Sequence, residues 1–341
     1  MTQSGHRRRA GTVAVGVGTV ATAAGMVVQH RAVVRARAAG TGVDRRQAGL
    51  TLPADVVHHR VDTDDGGIVH VVERGQGRPI VLVHGITLAA EIWSQQLATL
   101  AERHRVIAVD LRGHGQSVPG SDGFSGGIER LAADIRQVID ALSVEQGLLV
   151  GHSLGGMTAM QLVLDADAAW LRQHIAALAL VDTSAGPLAD VRGARLVHRP
   201  FSAVLTRTLL LAERAGLSSR HSDLSWWAAR AAFGPDPDPA QVAFTDALGS
   251  GTALGTLAGL LGPLGSFDLA ERIADIDLPT LVVVGTHDHL TPLSHARRMA
   301  EAIPEAELVE LPRCGHMPML ERPRELSRLL DELVTRVAVG A

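Results

Sequence analysis

The segment Gly151-His152-Ser153-Leu154-Gly155 places a serine midway between two glycines. It follows the apolar run 146–150, which reads as a buried strand, and precedes 156–164, which reads as a helix. Gly-x-Ser-x-Gly between a strand and a helix is a nucleophile elbow. The turn is too tight for side chains at the flanking glycine positions. It lifts the hydroxyl out of the sheet, and the helix N-terminus behind it favours developing negative charge. In a chain with 36 glycines the five residues alone are a modest signal, and the strand-turn-helix context sharpens it.

A serine hydroxyl is a weak nucleophile at neutral pH, so it needs a base and a group that orients the base. Residues 278–285 read as a buried parallel strand that runs into a loop carrying Asp288. Residues 306–311 read as another strand, and the loop after it carries His316. Catalytic groups in open α/β sheets gather at the C-terminal ends of strands. Three strand ends therefore deliver Ser153, Asp288 and His316 to one edge. Asp182, at the end of the strand 175–182, is the rival to Asp288 as orienting acid. The apolar strand 79–83 ends in His84-Gly85-Ile86 at the same edge.

These segments together resemble the α/β-hydrolase fold superfamily, in its branch of serine esterases, lipases and cofactor-free haloperoxidases. The matching stretches are His84-Gly85, Asp110-Leu111-Arg112-Gly113-His114-Gly115-Gln116-Ser117, Gly151 to Gly155, Gly285 to Asp288 and Gly315-His316, within about 56–337. The resemblance implies Ser153 as nucleophile, Asp288 as orienting acid and His316 as base. It also implies an oxyanion hole from the backbone N–H groups of Leu154 and Ile86. No cofactor and no metal are required by this chemistry. The first 50 residues have no counterpart in the minimal fold.

The coarse order of elements agrees. Residues 56–62 and 67–73 read as leading antiparallel strands joined by the turn Asp64-Asp65-Gly66-Gly67. Strands at 79–83 and 105–110 follow, with a helix over 89–100 between them. A helix over 128–142 shows Leu131, Ile135, Val138, Ile139 and Leu142 at helical spacing. Strands and helices in alternation imply a mostly parallel, eight-stranded sheet with helices on both faces. The alternation stops at 186–268, which reads as a helical cap with helices over 196–215, 224–233 and 240–261. Trp226, Trp227, Phe233 and Phe244 are its candidates for lining an apolar pocket or for packing the cap onto the sheet. The core is thus expected at 51–185 and 269–341, and an N-terminal basic and apolar segment with a linker at 1–50.

Composition bounds the partners. Residues 1–46 hold eight arginines and one acid, which leaves 24 basic and 35 acidic residues in the body, a balance of −11. Such a body is not a nucleic-acid binder. The single cysteine, Cys314, excludes an internal disulfide and reads as a packed loop thiol. His287 and His289 flank Asp288 without a further ligand that would make them a metal site. His152 reads as structural, and His84 and His114 as loop-shaping residues. An uncharged run over 10–29 lies between Arg7-Arg8-Arg9 and Arg31, Arg35 and Arg37. It reads as a membrane anchor by length, as an export signal cut at Ala36-Arg37-Ala38, or as a flexible arm, since it lacks Leu, Ile and Phe. Linker-like composition follows over 38–53.

The expected activity is hydrolysis of a small, apolar carboxylic ester through an acyl-enzyme. Perhydrolysis, acyl transfer and carbon–carbon bond hydrolysis use the same three side chains. A non-catalytic ligand receptor on the same scaffold is the alternative outside enzymes.

Overall fold

The computed structural model describes residues 29–187, 201–216 and 223–339. The run 10–29 lies outside these except for its last residue, as do 196–200 of the first expected cap helix. Eight strands form one sheet: β1 Val57–Asp62, β2 Ile68–Arg74, β3 Arg78–Val83, β4 His104–Val109, β5 Gly147–His152, β6 Ile175–Val181, β7 Thr280–Gly285 and β8 Glu307–Leu311. The spatial order is β1-β2-β4-β3-β5-β6-β7-β8. β1 and β2 pair antiparallel in the register Asp62 with Ile68, and β2 is antiparallel to β4. From β4 to β8 every pairing is parallel.

The central strands are apolar at consecutive positions because both faces are covered. Ile80 and Leu82, Val106 and Ala108, and Leu148 and Val150 join one buried cluster. Their neighbours Val81 and Val83, Ile107 and Val109, and Leu149 join another on the opposite face. Pleating with a period of two divides each strand between the two cores. The second cluster includes Leu131, Ile135, Val138 and Ile139 of a helix at Gly127–Ala141. The first is closed by a helix at Ser94–Leu100 and the C-terminal helix Pro323–Val339.

Between β6 and β7, where the cap is expected, the described chain forms four helices, Phe201–Arg214, Asp223–Ala231, Pro239–Gly251 and Leu254–Ser266. The single helix expected over 240–261 is instead two, bent by 95°. Thr252 and Ala253 take extended backbone at the break. Gly249, Ser250 and Gly251 lead into it, and a run of poor helix formers yields there. The second of the pair continues to Ser266 with Pro263 inside it. Among the described residues no single helix is long and apolar enough to cross a membrane, although this bent pair passes by length and composition.

The linker-like stretch 38–53 is not a free tether. A helix over 29–41 lies against the cap. Its Val33 is buried, and a Cβ on Gly40 would come within 2.3 Å of the Pro239 carbonyl oxygen. Arg37 Nε donates to Asp246 Oδ2 at 2.9 Å, and Ser225 Oγ donates to Asp246 Oδ1 at 2.7 Å. Leu50 is buried in the first core cluster. Glycines and charges suggested a tether, but here Gly40 permits close packing, and Arg37, just before the stretch, meets a buried carboxylate. Arg37→Ala should therefore destabilise the protein by about 2 kcal/mol, the cost of leaving a buried charged acceptor short of a donor. A thermal melt unchanged by Arg37→Ala would show that the contact carries no stability.

Candidate active site

Ser153 sits between the end of β5 and the helix Leu154–Asp165, with φ 53° and ψ −119°. This is a strained backbone for a residue with a Cβ, worth of order 1–3 kcal/mol. Four hydrogen bonds hold it. Ser153 N–H donates to the Val181 carbonyl at 3.1 Å. The Ser153 carbonyl accepts from Gly156 and Met157 N–H and from Thr183 Oγ1 at 2.6 Å. The flanking glycines are needed for space. A Cβ at Gly151 would meet Gly155 O at 2.4 Å, and one at Gly155 would meet Val83 O at 2.3 Å. The elbow is thus wedged against β3.

β7 and β8 bring Asp288 and His316 together. His316 Nδ1 lies 2.8 Å from Asp288 Oδ2, and both side chains are buried. Asp288 Oδ1 accepts the Leu290 and Thr291 N–H groups at 2.7 and 3.1 Å, and Oδ2 accepts Thr291 Oγ1 at 2.7 Å. Burial opposes ionisation of Asp288, but His316 beside it and side-chain hydrogen bonds, among them that of the Thr291 hydroxyl, outweigh burial and hold its carboxyl well below the usual range. A carboxylate surrounded by donors fixes the proton of the imidazole on Nδ1 and leaves Nε2 as the basic nitrogen. Thr291 was not singled out in the sequence, although a threonine three residues after an aspartate is a familiar local hydrogen-bonding pattern.

Asp182 directly follows β6 on the same edge, at φ 40°. Its Oδ1 accepts Gly285 N–H at 2.8 Å rather than bonding to His316, and its Oδ2 meets no donor. Asp182, Asp288 and His316 offer ligand atoms within 4.8 Å of one another. Asp288 and His316 already engage each other there. His287 and His289 do not join that group.

The histidines outside this pair fix loops. His152 Nε2 donates to the His316 carbonyl at 2.8 Å, and its ring lies 4.7 Å from that of His316. Burial pushes its pKa well down, so it holds the loop as a neutral donor. His316 N–H donates to the Ala232 carbonyl at 2.6 Å, which ties the same loop to the cap. Nothing in the sequence signalled this last contact. His84 accepts Leu111 N–H on Nε2 at 3.0 Å and donates from Nδ1 to Gly85 O at 2.7 Å. That shapes the turn before Ile86. The N–H groups of Ile86 and Leu154 find no acceptor among the described residues. Asp110 organises its loop, accepting Ala90 N–H at 2.6 Å, Gln116 N–H at 2.9 Å and His70 Nδ1 at 2.7 Å. Cys314 is buried beside Glu321, and burial pushes its thiol far up, as suits a packing residue.

Phe233 and Phe244 are buried in the core that joins the cap to the sheet. Trp226 stacks edge-on against the exposed Trp227. A cavity of about 250 Å³ lies between the cap residues Ala247, Leu248 and Gly251 and the loops carrying Ala89, Asp110 and Gln116. A larger one of about 660 Å³ opens between Gly127 and Phe267. Neither has Ser153 in its wall.

His114 packs against His84, and burial pushes its pKa down to about 3. The unfolded chain protonates near 6.5, so stability from this group is full above pH 6.5 and is lost as pH falls towards 3. Between pH 6.5 and 5 the loss from this one histidine should be about 2 kcal/mol. Urea denaturation at pH 7.5 and 5.0, compared in wild type and His114→Gln, measures it. An equal drop in both proteins would rule out His114 as the source.

A strained serine, a buried aspartate–histidine pair and two unpaired N–H groups on one sheet edge define an α/β hydrolase. The chain belongs to the alpha/beta hydrolase fold family, whose model matches residues 78–323. It is 31% identical over 267 residues to RutD of Variovorax paradoxus, provisionally named a carbamate hydrolase, spanning 77% of this chain and 93% of that one. Among solved structures it is similar to Est816, described as an N-acyl homoserine lactone degrading enzyme, with 28% identity and a TM-score of 0.63 over 80% of this chain and 99% of that one. It also shares its fold with a thermophilic esterase from Thermogutta terrifontis, with 24% identity and a TM-score of 0.68 over 83% and 99% of the two chains. Family and relatives together make the protein a hydrolase.

Proposed function

We propose that the protein hydrolyses a carboxylic ester with Ser153 as nucleophile, His316 as base and Asp288 as orienting acid. The observation that carries this reading is the 2.8 Å Asp288–His316 contact at the sheet edge where the strained elbow presents Ser153. His316 Nε2 removes the Ser153 proton as Oγ attacks the carbonyl carbon. The Ile86 and Leu154 N–H groups stabilise the oxyanion, each worth about 3–4 kcal/mol in sites of this kind. The tetrahedral centre then collapses, the C–O bond to the alcohol breaks, and the alcohol leaves with the proton from His316. Water, deprotonated by His316, attacks the acyl-enzyme and releases the acid, and the proton returns to Ser153. None of these steps uses a cofactor or a metal ion.

The apolar cap supports an apolar acyl or alcohol group, and the lactone-degrading relative supports an ester-type carbonyl. Peroxide in place of water, or an alcohol acceptor, enters through the same acyl-enzyme. The run 10–29, between arginine clusters, is proposed as a point of membrane association.

The test is an activity screen over p-nitrophenyl esters of graded acyl length, a lactone and an aryl carbamate, with and without peroxide. Turnover of the esters above the carbamate is expected. Carbamate turnover with silent esters, or silence throughout, overturns the ester reading.

A further inference from the structure

We propose that Asp182 carries a proton and donates it in a hydrogen bond to Asp288, acting as a positioning residue for the carboxylate that orients His316. The inference rests on the reading of Asp288 and His316 as the catalytic pair only for its consequence, because the protonation itself is read from geometry.

Two carboxyls end adjacent parallel strands here, Asp182 after β6 and Asp288 just beyond β7. They are 1% and 4% exposed. Their oxygens, with a ring nitrogen of His316, fall within 4.8 Å. Two carboxylates so close and so buried do not both ionise, and one proton stays with the pair.

The donors decide which one holds it. Asp288 accepts two backbone N–H groups, the Thr291 hydroxyl and His316 Nδ1. Asp182 accepts one N–H, from Gly285, and its other oxygen is buried without a donor. An acceptor that meets no donor is costly when charged. The same oxygen carrying a proton becomes a donor, with Asp288 as its acceptor. The surroundings agree. Glu321 adds a further negative charge, and the neutral thiol of Cys314 and the neutral ring of His152 supply no cation. Burial and the charge on Asp288 push the Asp182 carboxyl well above its usual range, while Asp288 is held below its own.

The arrangement also explains why a polar group stands at the end of β6. A protonated carboxyl accepts from Gly285, the last residue of β7, and donates to Asp288, three residues on. One side chain thus clamps the start of the loop to its functional end. The positive φ of Asp182 aims it there, and Asp182 N–H is anchored on the Val283 carbonyl at 2.9 Å. A leucine would fill the space and make neither bond.

The Asp182→Asn substitution would reproduce both bonds, with the amide oxygen accepting from Gly285 and the amide nitrogen donating to Asp288. Asp182→Asn should keep kcat within about threefold of wild type and leave the acid limb of the kcat/KM pH profile in place. Asp182→Leu should lose about tenfold or more in kcat with little change in KM, since it loosens a group that acts after binding. Infrared spectroscopy of wild type at pH 7 should show the C=O stretch of a protonated buried carboxyl, absent from Asp182→Asn. The infrared band does not depend on turnover, so it stands or falls separately from the hydrolase reading. Absence of the band in wild type overturns the proposal. So does a displacement of the acid limb by about one pH unit in Asp182→Asn, which is the mark of a lost negative charge. If Asp182→Leu does not fold, Asp182→Asn and the infrared band decide the matter.

Discussion

Ser153→Ala is expected to abolish ester turnover by a factor of about 10⁶ in kcat while the protein stays folded, because the members of such a site act as a unit. The alanine keeps the Cβ that the elbow already accommodates. The bonds that hold residue 153 in place run through its backbone, to Val181, Gly156, Met157 and Thr183. The substitution therefore removes the proposed nucleophile without releasing the turn. A fluorophosphonate probe should label wild type at Ser153 and leave the alanine variant unlabelled. A residual rate near that of wild type, or labelling at another serine, would assign the chemistry elsewhere.

The second large effect is expected at Asp288. Asp288→Asn keeps shape and volume but turns an acceptor of the imidazole proton into a donor on one side. His316 Nδ1 would then accept from the amide, and the proton would move to Nε2, the nitrogen that must take the proton of Ser153. A wrong tautomer of this kind costs about 10⁴-fold in kcat. Asp182→Asn at the neighbouring strand end should cost only a few-fold, by the argument given for its proton. Steady-state kinetics of the two variants, with circular dichroism to show both folded, give the ranking. Asp182→Asn as the more damaging change would make Asp182 the orienting acid.

Much of this was readable in the chain. Ser153 and Asp288 each follow an apolar run that reads as a buried strand, whereas His316 follows an edge strand that carries Glu307 and Glu310 and is mostly half-exposed. Apolar runs of five to seven residues record burial on both faces, which is why the central parallel strands were legible to within a residue or two. The buried spacing of Leu131, Ile135, Val138 and Ile139 records one face of a helix in the same way. The helical pattern over 240–261 misled, because apolar residues continue across the break at Thr252 and Ala253. Composition over 38–53 misled because glycine marks close packing as well as freedom. The N-terminal run 10–29 remains an expectation drawn from its composition.

By itself the sequence determined the class of sheet, the order of its strands along the chain and the three loops in which the proposed chemistry is placed. These follow from local patterns, namely the period of apolar residues and the glycines that a tight turn requires. Only the tertiary structure decided what lies beside what. It placed Asp288 on His316 and turned Asp182 towards Gly285. It hung the His316 loop on His152 and on the Ala232 carbonyl of the cap, and laid the helix over 29–41 against Asp246. Each of these joins residues distant in the chain through one or two hydrogen bonds. Such contacts leave no periodic trace in a sequence, because a single polar atom at the right distance suffices and its partner is chosen by the packing of everything between them.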